Sequence, residues 1–334
     1  MARTRILLIH NRPVLAPNHP EAASEAEILE TAETALAQLR DAGFTVEKLA
    51  IDRDPLTLLR SIRRRRPEAV FNLFEGTGED GSSEAMMASL LENADLAFTG
   101  SPAFALSLAR DKFRCKRLFQ GAGLATPNFT VLSSPALPAI ALRRPLIVKP
   151  ALQDASIGLD HNSVVTNRAE LVSKARSLLK SYGPPVLVEE FIDGKEFEVS
   201  IVERGGRRLL AVGEVRFTNE LRWRIVTYSA KWRPGSRDDL ATPVSHPAVV
   251  SASVRRRLYA LALAAFDLLG CRDYARADIR LGRDEKPMLL EMNPNPSYHP
   301  SAGFVKSLTS MGLTHSQCTV GLLEAALARR NASR

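Results

Sequence analysis

Short apolar runs alternate with helix-spaced apolar positions through the first part of the chain. Residues 4–10 (TRILLIH) predict a buried strand. Residues 22–42 place Ile28, Leu29, Ala32, Leu36 and Leu39 on one helical face, and Gly43 follows as a stop. Residues 44–51 predict a second strand, residues 55–66 a helix, and residues 69–74 (AVFNLF) a third strand. Strand alternating with helix is the pattern of a parallel sheet, because parallel neighbours need a crossover between them.

Further along, a predicted helix carries Asp111, Lys112 and Lys116, and the turn-rich break QGAGLATP ends it. The strand PLIVKP brings Lys149 to the edge of a small-residue loop, QDASIGLD, whose Gly158 allows close backbone approach to a ligand. A lysine beside such a loop either covers phosphates or is plain surface. VLVEEFIDGKEFEVSIV reads as a hairpin turning at Asp193 and Gly194, and LLAVGEVRF as the next strand. Residues 218–244 are long and polar yet hold Trp223, Tyr228, Lys231 and Trp232. Tryptophans are costly to leave in water, which favours a lid over a disordered insertion. A helix is expected over 247–269, a hairpin over 274–293 (YARADIRL, then KPMLLEMN), and a closing helix over 314–330.

Composition narrows the class. The 334 residues suffice for two or three packed units, and 45% hydrophobic with 25% charged residues is ordinary for a soluble globular protein. The apolar run near the start is too short for a signal-peptide core, and the longest one, residues 258–270, is broken by Asp267 and too short to span a membrane. Cys115, Cys271 and Cys318 are far apart and fit reduced thiols, so a cytoplasmic location without a membrane partner is expected. The net charge of +8 raises nucleic acid as a partner. The basic run Arg63–Arg66 lies at a helix end without interleaved aromatics, which reads as a solvated terminus, and no nucleic-acid partner is expected. The same field would favour small polyanionic substrates.

The hairpin carries the sharpest chemistry. Pairing it symmetrically around a loop of Arg283 to Lys286 sets Asp278 opposite Glu291 and Arg276 opposite Asn293. Alternation then puts Arg276, Asp278 and Arg280 on one face, with Leu289, Glu291 and Asn293 facing the same way. Opposed Cβ atoms lie roughly 4.5–5.5 Å apart. Carboxylates and an amide oxygen this close suit Mg²⁺ with nucleotide phosphates, or else form a solvent face balanced by Arg276 and Arg280. Gly76, Gly78 and Gly81 match GxGxxG, but the motif follows the third strand, and Glu79 and Asp80 would oppose a pyrophosphate.

Together these stretches resemble the ATP-grasp superfamily, and within it the D-alanine–D-alanine ligases. The carrying motifs are GEDG (78–81), TGS (99–101), Asp111-Lys112, QGAGL from Gln120, IVKP from Ile147, EEFIDGKEFEV from Glu189 and the final ADI…LLEMNPNP. The resemblance implies an α/β protein of three domains: an N-terminal parallel α/β domain (1–103), a central small α+β domain (104–188), and a C-terminal α+β domain with a mainly antiparallel sheet (189–334). It implies that Lys112 and Lys149 hold ATP phosphates, aided by Lys231. Ser156 and Gly158 of the 153–158 loop would close over them. Backbone from Glu189 through Glu190 and Phe191 to Ile192 would read adenine, and Glu196 would accept from the ribose. Asp278, Glu291 and Asn293 would hold two Mg²⁺ ions, with Mn²⁺ able to replace them, and Arg276 would stand beside the transferred phosphoryl group.

The implied reaction activates a carboxylate with ATP as an acyl phosphate, from which an amine displaces phosphate. Its partners would be a small-molecule carboxylate and amine, and relatives are often homodimers. Two alternatives share the nucleotide residues: a kinase acting on a small molecule, and a nucleotide-binding regulator without turnover. The acceptor half departs from the family. HPEAASEAEILE lacks the N-terminal glycines, with Ser24 or Glu25 near the position of the family's glutamate. Ala155 replaces a serine, Trp232 a tyrosine and Phe74 a histidine, and SYHPSAGF replaces the serine–leucine pair near the end. The expected substrate pocket therefore uses Glu25, Phe74, Trp232, Tyr298, His299 and Ser301. It would take something bulkier than alanine, with a structural role for Trp232 as the alternative.

Overall fold

The structure is a computed structural model that describes residues 4–16, 18, 19, 22–52, 54–77, 81–134, 140–218 and 221–332. The chain opens with β1 (Arg5–Asn11), α1 (Ala22–Asp41), β2 (Thr45–Ile51), α2 (Leu56–Arg65), β3 (Ala69–Leu73), α3 (Ser82–Asn93) and β4 (Ala97–Phe98). Their strands form a parallel sheet in the order β2-β1-β3-β4. Alternation along β1 divides the core: Ile6 and Leu8 face α1, while Leu7 and Ile9 pack with Leu58, Met87 and Leu91 of α2 and α3. Covering both faces is what an all-parallel sheet requires.

The helix expected around Asp111 is two helices, α4 (Ala103–Arg110) and α5 (Lys112–Gly121). Asp111 interrupts them because its carboxylate caps α5, accepting the Arg114 backbone N–H at 2.9 Å. Next come β5 (Phe129–Leu132), β6 (Leu146–Pro150), β7 (Val164–Val165), α6 (Arg168–Tyr182) and β8 (Val186–Glu190). These strands make an antiparallel sheet, β5-β8-β6-β7, with Leu171, Ala175 and Leu178 of α6 packed on it.

The remainder is β9 (Lys195–Arg204), β10 (Arg207–Val215), α7 (Tyr228–Trp232), α8 (Arg237–Leu240), β11 (Val244–Ser245), α9 (Ala252–Leu269), β12 (Tyr274–Leu281), β13 (Pro287–Asn293), α10 (Gly303–Ser307) and α11 (His315–Ala332). The third sheet runs β11-β10-β9-β12-β13, antiparallel throughout. The expected hairpin across Asp193 and Gly194 is not one. β8 pairs with β5 and β6, whereas β9 pairs with β10 and β12, so the turn crosses between sheets. Gly194 is needed there, since a Cβ at that position would sit 2.0 Å from the Leu281 carbonyl oxygen.

In the β12–β13 hairpin, Arg276 opposes Asn293 and Asp278 opposes Glu291, as the symmetric pairing predicts. The symmetric register stops there. Ile279 pairs with Leu289, which leaves Leu290 as an extra bulged residue and lengthens the loop to residues 282–286. The bulge also corrects the expected face of Leu289: it is fully buried among Ile279, Met292 and α9 side chains, away from Glu291. The chain end returns to the first sheet, where Leu322 and Leu323 of α11 share a core with Ile6 and Phe71. Among the described residues no helix is long and apolar enough to cross a membrane, and the three cysteines are free.

Candidate active site

A cavity of about 800 Å³ is lined by the second and third sheets and, from the first unit, by Glu27, Glu75 and Glu84. Its floor is the exposed face of β9, β12 and β13. Across these strands Glu198, Asp278 and Glu291 stand in one row, with Ser200, Arg276 and Asn293 in the next. Three carboxylates in a row need compensating charge. Arg276 supplies it in the middle, gripping Asp278 with Nε–Oδ1 at 2.7 Å and Nη2–Oδ2 at 2.8 Å while Nη1 lies 3.6 Å from Glu198. Lys112 supplies it at the edge, with Nζ 3.4 Å from Glu291 and bonded also to Asp154. Burial pushes Asp278 up to about 6, although Arg276 pulls it down. Glu291 is held near 2: burial opposes ionisation there, but Lys112, Lys149, Lys231 and Arg276 outweigh it. Among the described residues no group of three or more His, Cys, Asp or Glu is arranged to hold a metal ion. Asp278, Glu291 and Asn293 are instead two carboxylates and an amide. That is an all-oxygen donor set fitting a hard cation such as Mg²⁺.

The opposite wall comes from β6, β8 and the 153–159 loop. Lys149 Nζ meets Glu189 at 2.8 Å, and Lys116 meets the other Glu189 oxygen at 2.6 Å. Burial works against the charge on Glu189, but the two lysines keep its carboxyl below the usual range. Glu190 is held by the Arg143 backbone N–H at 2.9 Å and by Asn128 at 3.0 Å. Phe191 and Ile192 complete this wall, with Trp223 edge-on to Phe191. Arg280 binds Glu196 Oε2 from Nε at 2.9 Å and Nη2 at 2.6 Å, and also donates to the Ile192 carbonyl at 2.8 Å.

The roof is the 153–159 loop together with α7. Ala155 (φ 53°) and Ser156 (φ 61°) both adopt left-handed conformations, and a Cβ on Gly158 would meet Pro150 at 2.7 Å. α7 is docked onto this loop: Trp232 Nε1 donates to the Ala155 carbonyl at 3.0 Å, and the Tyr228 N–H to that of Leu159 at 3.1 Å. Residues 221–244 of the long polar stretch are thus an ordered cover that carries Lys231 into the cavity lining.

A family model described as the D-alanine–D-alanine ligase C-terminus matches residues 118–324. A D-alanine–D-alanine ligase of Cupriavidus metallidurans is 35% identical over 75% of this chain and 72% of its own. The chain belongs to the D-alanine–D-alanine ligase family. It is therefore an ATP-grasp protein and an ATP-dependent, ADP-forming ligase. An uncharacterised protein of Sinorhizobium fredii, y4sG, is also 30% identical over 88% of this chain and 87% of its own. The fold matches a crystal structure of the Bacillus anthracis D-alanine–D-alanine ligase complexed with ATP. The TM-score is 0.78 over 99% of this chain and 100% of that chain, at 19% identity.

Against the ligase-family expectations, the cavity brings together Lys112, Lys149, Ser156, Glu189, Glu190, Phe191, Ile192, Glu196, Lys231, Trp232, Arg276, Asp278, Glu291, Asn293 and Ser301. Four expected pocket residues lie outside this lining, as does Gly158 of the 153–158 loop. Phe74 is fully buried in the apolar core beside β3, as a benzyl group in place of an imidazole would be. Tyr298 is 1% exposed, stacked among Phe71, Tyr274 and Phe304. Glu25 turns away to accept the Val14 and Leu15 N–H groups, each at 2.8 Å. His299 sits just behind the wall, 3.5 Å from Glu27 and 3.2 Å from Glu30. Gly78, Glu79 and Asp80 of the GEDG motif, and the side chain of Ser24, lie outside the described residues.

The residues that sequence reasoning missed are mostly acidic. Glu27, Glu75 and Glu84 line the end of the cavity beyond Asn293. Glu84 accepts from Asn295 at 2.5 Å and Glu27 from Ser297 at 3.1 Å. Burial, reinforced by Glu27 and Glu84, raises Glu75 to about 8. Burial also raises Glu84 to about 7, against the pull of Asn295. Glu27 lies two residues after the expected Glu25, nearly on the opposite face of α1, and Glu198 follows Glu196 at strand spacing; those offsets were the available signals.

Proposed function

We propose that the protein joins a small-molecule carboxylate to an amine through an acyl phosphate, releasing ADP and phosphate. The observation that carries this reading is the facing of Asp278, Glu291 and Asn293 with Lys112, Lys149 and Lys231 around one covered cavity. Lys112, Lys149 and Lys231 bind the ATP phosphates as point charges. Backbone groups of Glu189 to Ile192 take the adenine, and Glu196 the ribose. Asp278, Glu291 and Asn293 would hold two Mg²⁺ ions, with Mn²⁺ able to replace them, and such ions would supply charge neutralisation for phosphoryl transfer. Arg276 stabilises charge developing on that group. The clasp of Trp232 on Ala155 keeps the loop closed and water out, which a hydrolysable acyl phosphate demands.

The substrates we propose are not two D-alanines, although several relatives carry the D-alanine–D-alanine ligase name. Ala155 and Trp232 stand where the family has a serine and a tyrosine, Phe74 is buried in the core, and SYHPSAGF contributes Ser297 and Ser301 to the wall. Glu27, Glu75 and Glu84 make that end of the cavity acidic, an environment better suited to an amine than to a second carboxylate. A cytoplasmic homodimer is the setting most consistent with the family. The test is a screen of paired carboxylates and amines with Mg²⁺ and ATP, read as phosphate and ADP release. Glu291→Gln is expected to abolish release; full activity in that variant would remove the metal assignment.

A further inference from the structure

Lys116 has no contact with the cavity, yet it is bound into the cavity wall. It is 1% exposed on α5, one helical turn after Lys112. Its ammonium has three oxygen neighbours: Glu189 Oε1 at 2.6 Å, Thr126 Oγ1 at 2.8 Å and the Leu289 carbonyl at 3.5 Å. Burying a lysine this completely is costly without a countercharge, and Glu189, itself 1% exposed, is that countercharge. Glu189 also holds Lys149 at 2.8 Å through its second oxygen.

Charge counting gives the arrangement its meaning. Lys149 and Glu189 alone would form a neutral pair, with no net attraction for an anion. Adding Lys116 restores one positive charge to the cluster, and Lys149 is the member that lines the cavity. We infer that Lys116 is a positioning residue: by neutralising Glu189 from behind the wall, it leaves the charge of Lys149 available to the phosphates of ATP. The inference rests on the ATP-binding reading of the site. Thr126 Oγ1 donates to the Leu289 carbonyl at 2.8 Å independently, so the β13 bulge keeps a partner when Lys116 is replaced.

The experiment compares ATP and adenosine affinities by calorimetry in four proteins: wild type, Lys116→Met, Glu189→Gln and the double variant. The ratio of ATP to adenosine affinity cancels effects confined to the adenine side. Lys116→Met is expected to lower that ratio about tenfold, because a buried charge acts through a low dielectric. The double variant, with the cluster again at one positive charge, recovers it to within about threefold of wild type, and Glu189→Gln does not fall below wild type. Circular dichroism and melting temperature report whether each variant folds. Should Lys116→Met fail to fold, the comparison of the folded double variant with wild type still decides: a tenfold lower ratio there overturns the inference. An unchanged ratio in a folded Lys116→Met protein overturns it as well. Failure of the wild type to bind ATP overturns the functional reading itself.

Discussion

Arg276 grips both carboxylate oxygens of Asp278 from two residues back on the same strand face, at 2.7 and 2.8 Å. The pair explains how a row of three carboxylates survives in a cavity. Under the proposed function, Asp278 would take a metal ion as Arg276 turned its guanidinium toward another anion, and the transferred phosphoryl group would be the one at hand. Arg276→Met is therefore expected to lower kcat by about 100-fold or more while ATP affinity changes little, the signature of an interaction made in the transition state. Steady-state kinetics beside calorimetric ATP binding checks this; an equal loss in both assigns Arg276 to ground-state binding.

Mg²⁺ and ATP together should stabilise the protein through Asp278. Binding at a hundred times Kd adds about 2.7 kcal/mol to the native state. Thermal melts of wild type should therefore rise by several degrees with both present and by less with either alone. Asp278→Asn should lose the joint increment. An equal increment in the variant places the metal elsewhere.

The clasp between α7 and the 153–159 loop has one side-chain bond at its centre, from Trp232 Nε1 to the Ala155 carbonyl. Trp232→Phe keeps an aromatic ring but removes the donor together with the pyrrole half of the indole, a loss of about 1 kcal/mol for the neutral hydrogen bond besides the lost packing. The expected outcome is a rise in KM for ATP of roughly three- to tenfold, with faster limited proteolysis within residues 218–244. Unchanged proteolysis would show that the Tyr228 N–H bond to Leu159 and the 2.8 Å bond between His161 Nε2 and Asp238 of α8 hold the lid by themselves.

Glu75 ties stability to pH. Its carboxyl titrates near 8 in the fold, against 4.5 in the unfolded chain, because it is buried beside Glu27 and Glu84. The folded state thus holds a proton that the unfolded state has released. The stability this lends is fully present below 4.5 and is lost as pH climbs toward 8. Glu75→Gln lacks that loss. The melting temperature of the variant relative to wild type should be higher at pH 8.5 than at pH 5, by about 2 °C or more. A constant difference across that range contradicts the buried-acid account.

Much of the fold and part of the site are legible in the residues, and the failures have physical causes. Pairing symmetric about Arg283 to Lys286 sets Asp278 opposite Glu291 and Arg276 opposite Asn293, and both pairs form because the added loop residue and the bulge offset each other. The Leu290 bulge has no such signature: one extra apolar residue fits either register, and Ala125 and Thr126, far away in sequence, fix it by bonding Leu289. Val186 to Val202 reads as a hairpin because strand, turn and strand look alike whether or not the strands pair with each other. Phe74 and Tyr298 stand beside motif residues in sequence, but the folded chain buries both in apolar clusters. The acidic end of the cavity gathers Glu27, Glu75 and Glu84 from separate segments, and only the folded chain brings them into one lining.

The central claim is that a carboxylate oxygen attacks the γ-phosphate of ATP in this cavity. Carboxylates enriched in ¹⁸O, offered with amines, ATP and Mg²⁺, test it directly by mass spectrometry of the released phosphate. The account predicts phosphate bearing one ¹⁸O from the carboxylate, formed with ADP in equal amount and absent with Glu291→Gln. ADP without free phosphate, or phosphate without the label, would contradict it.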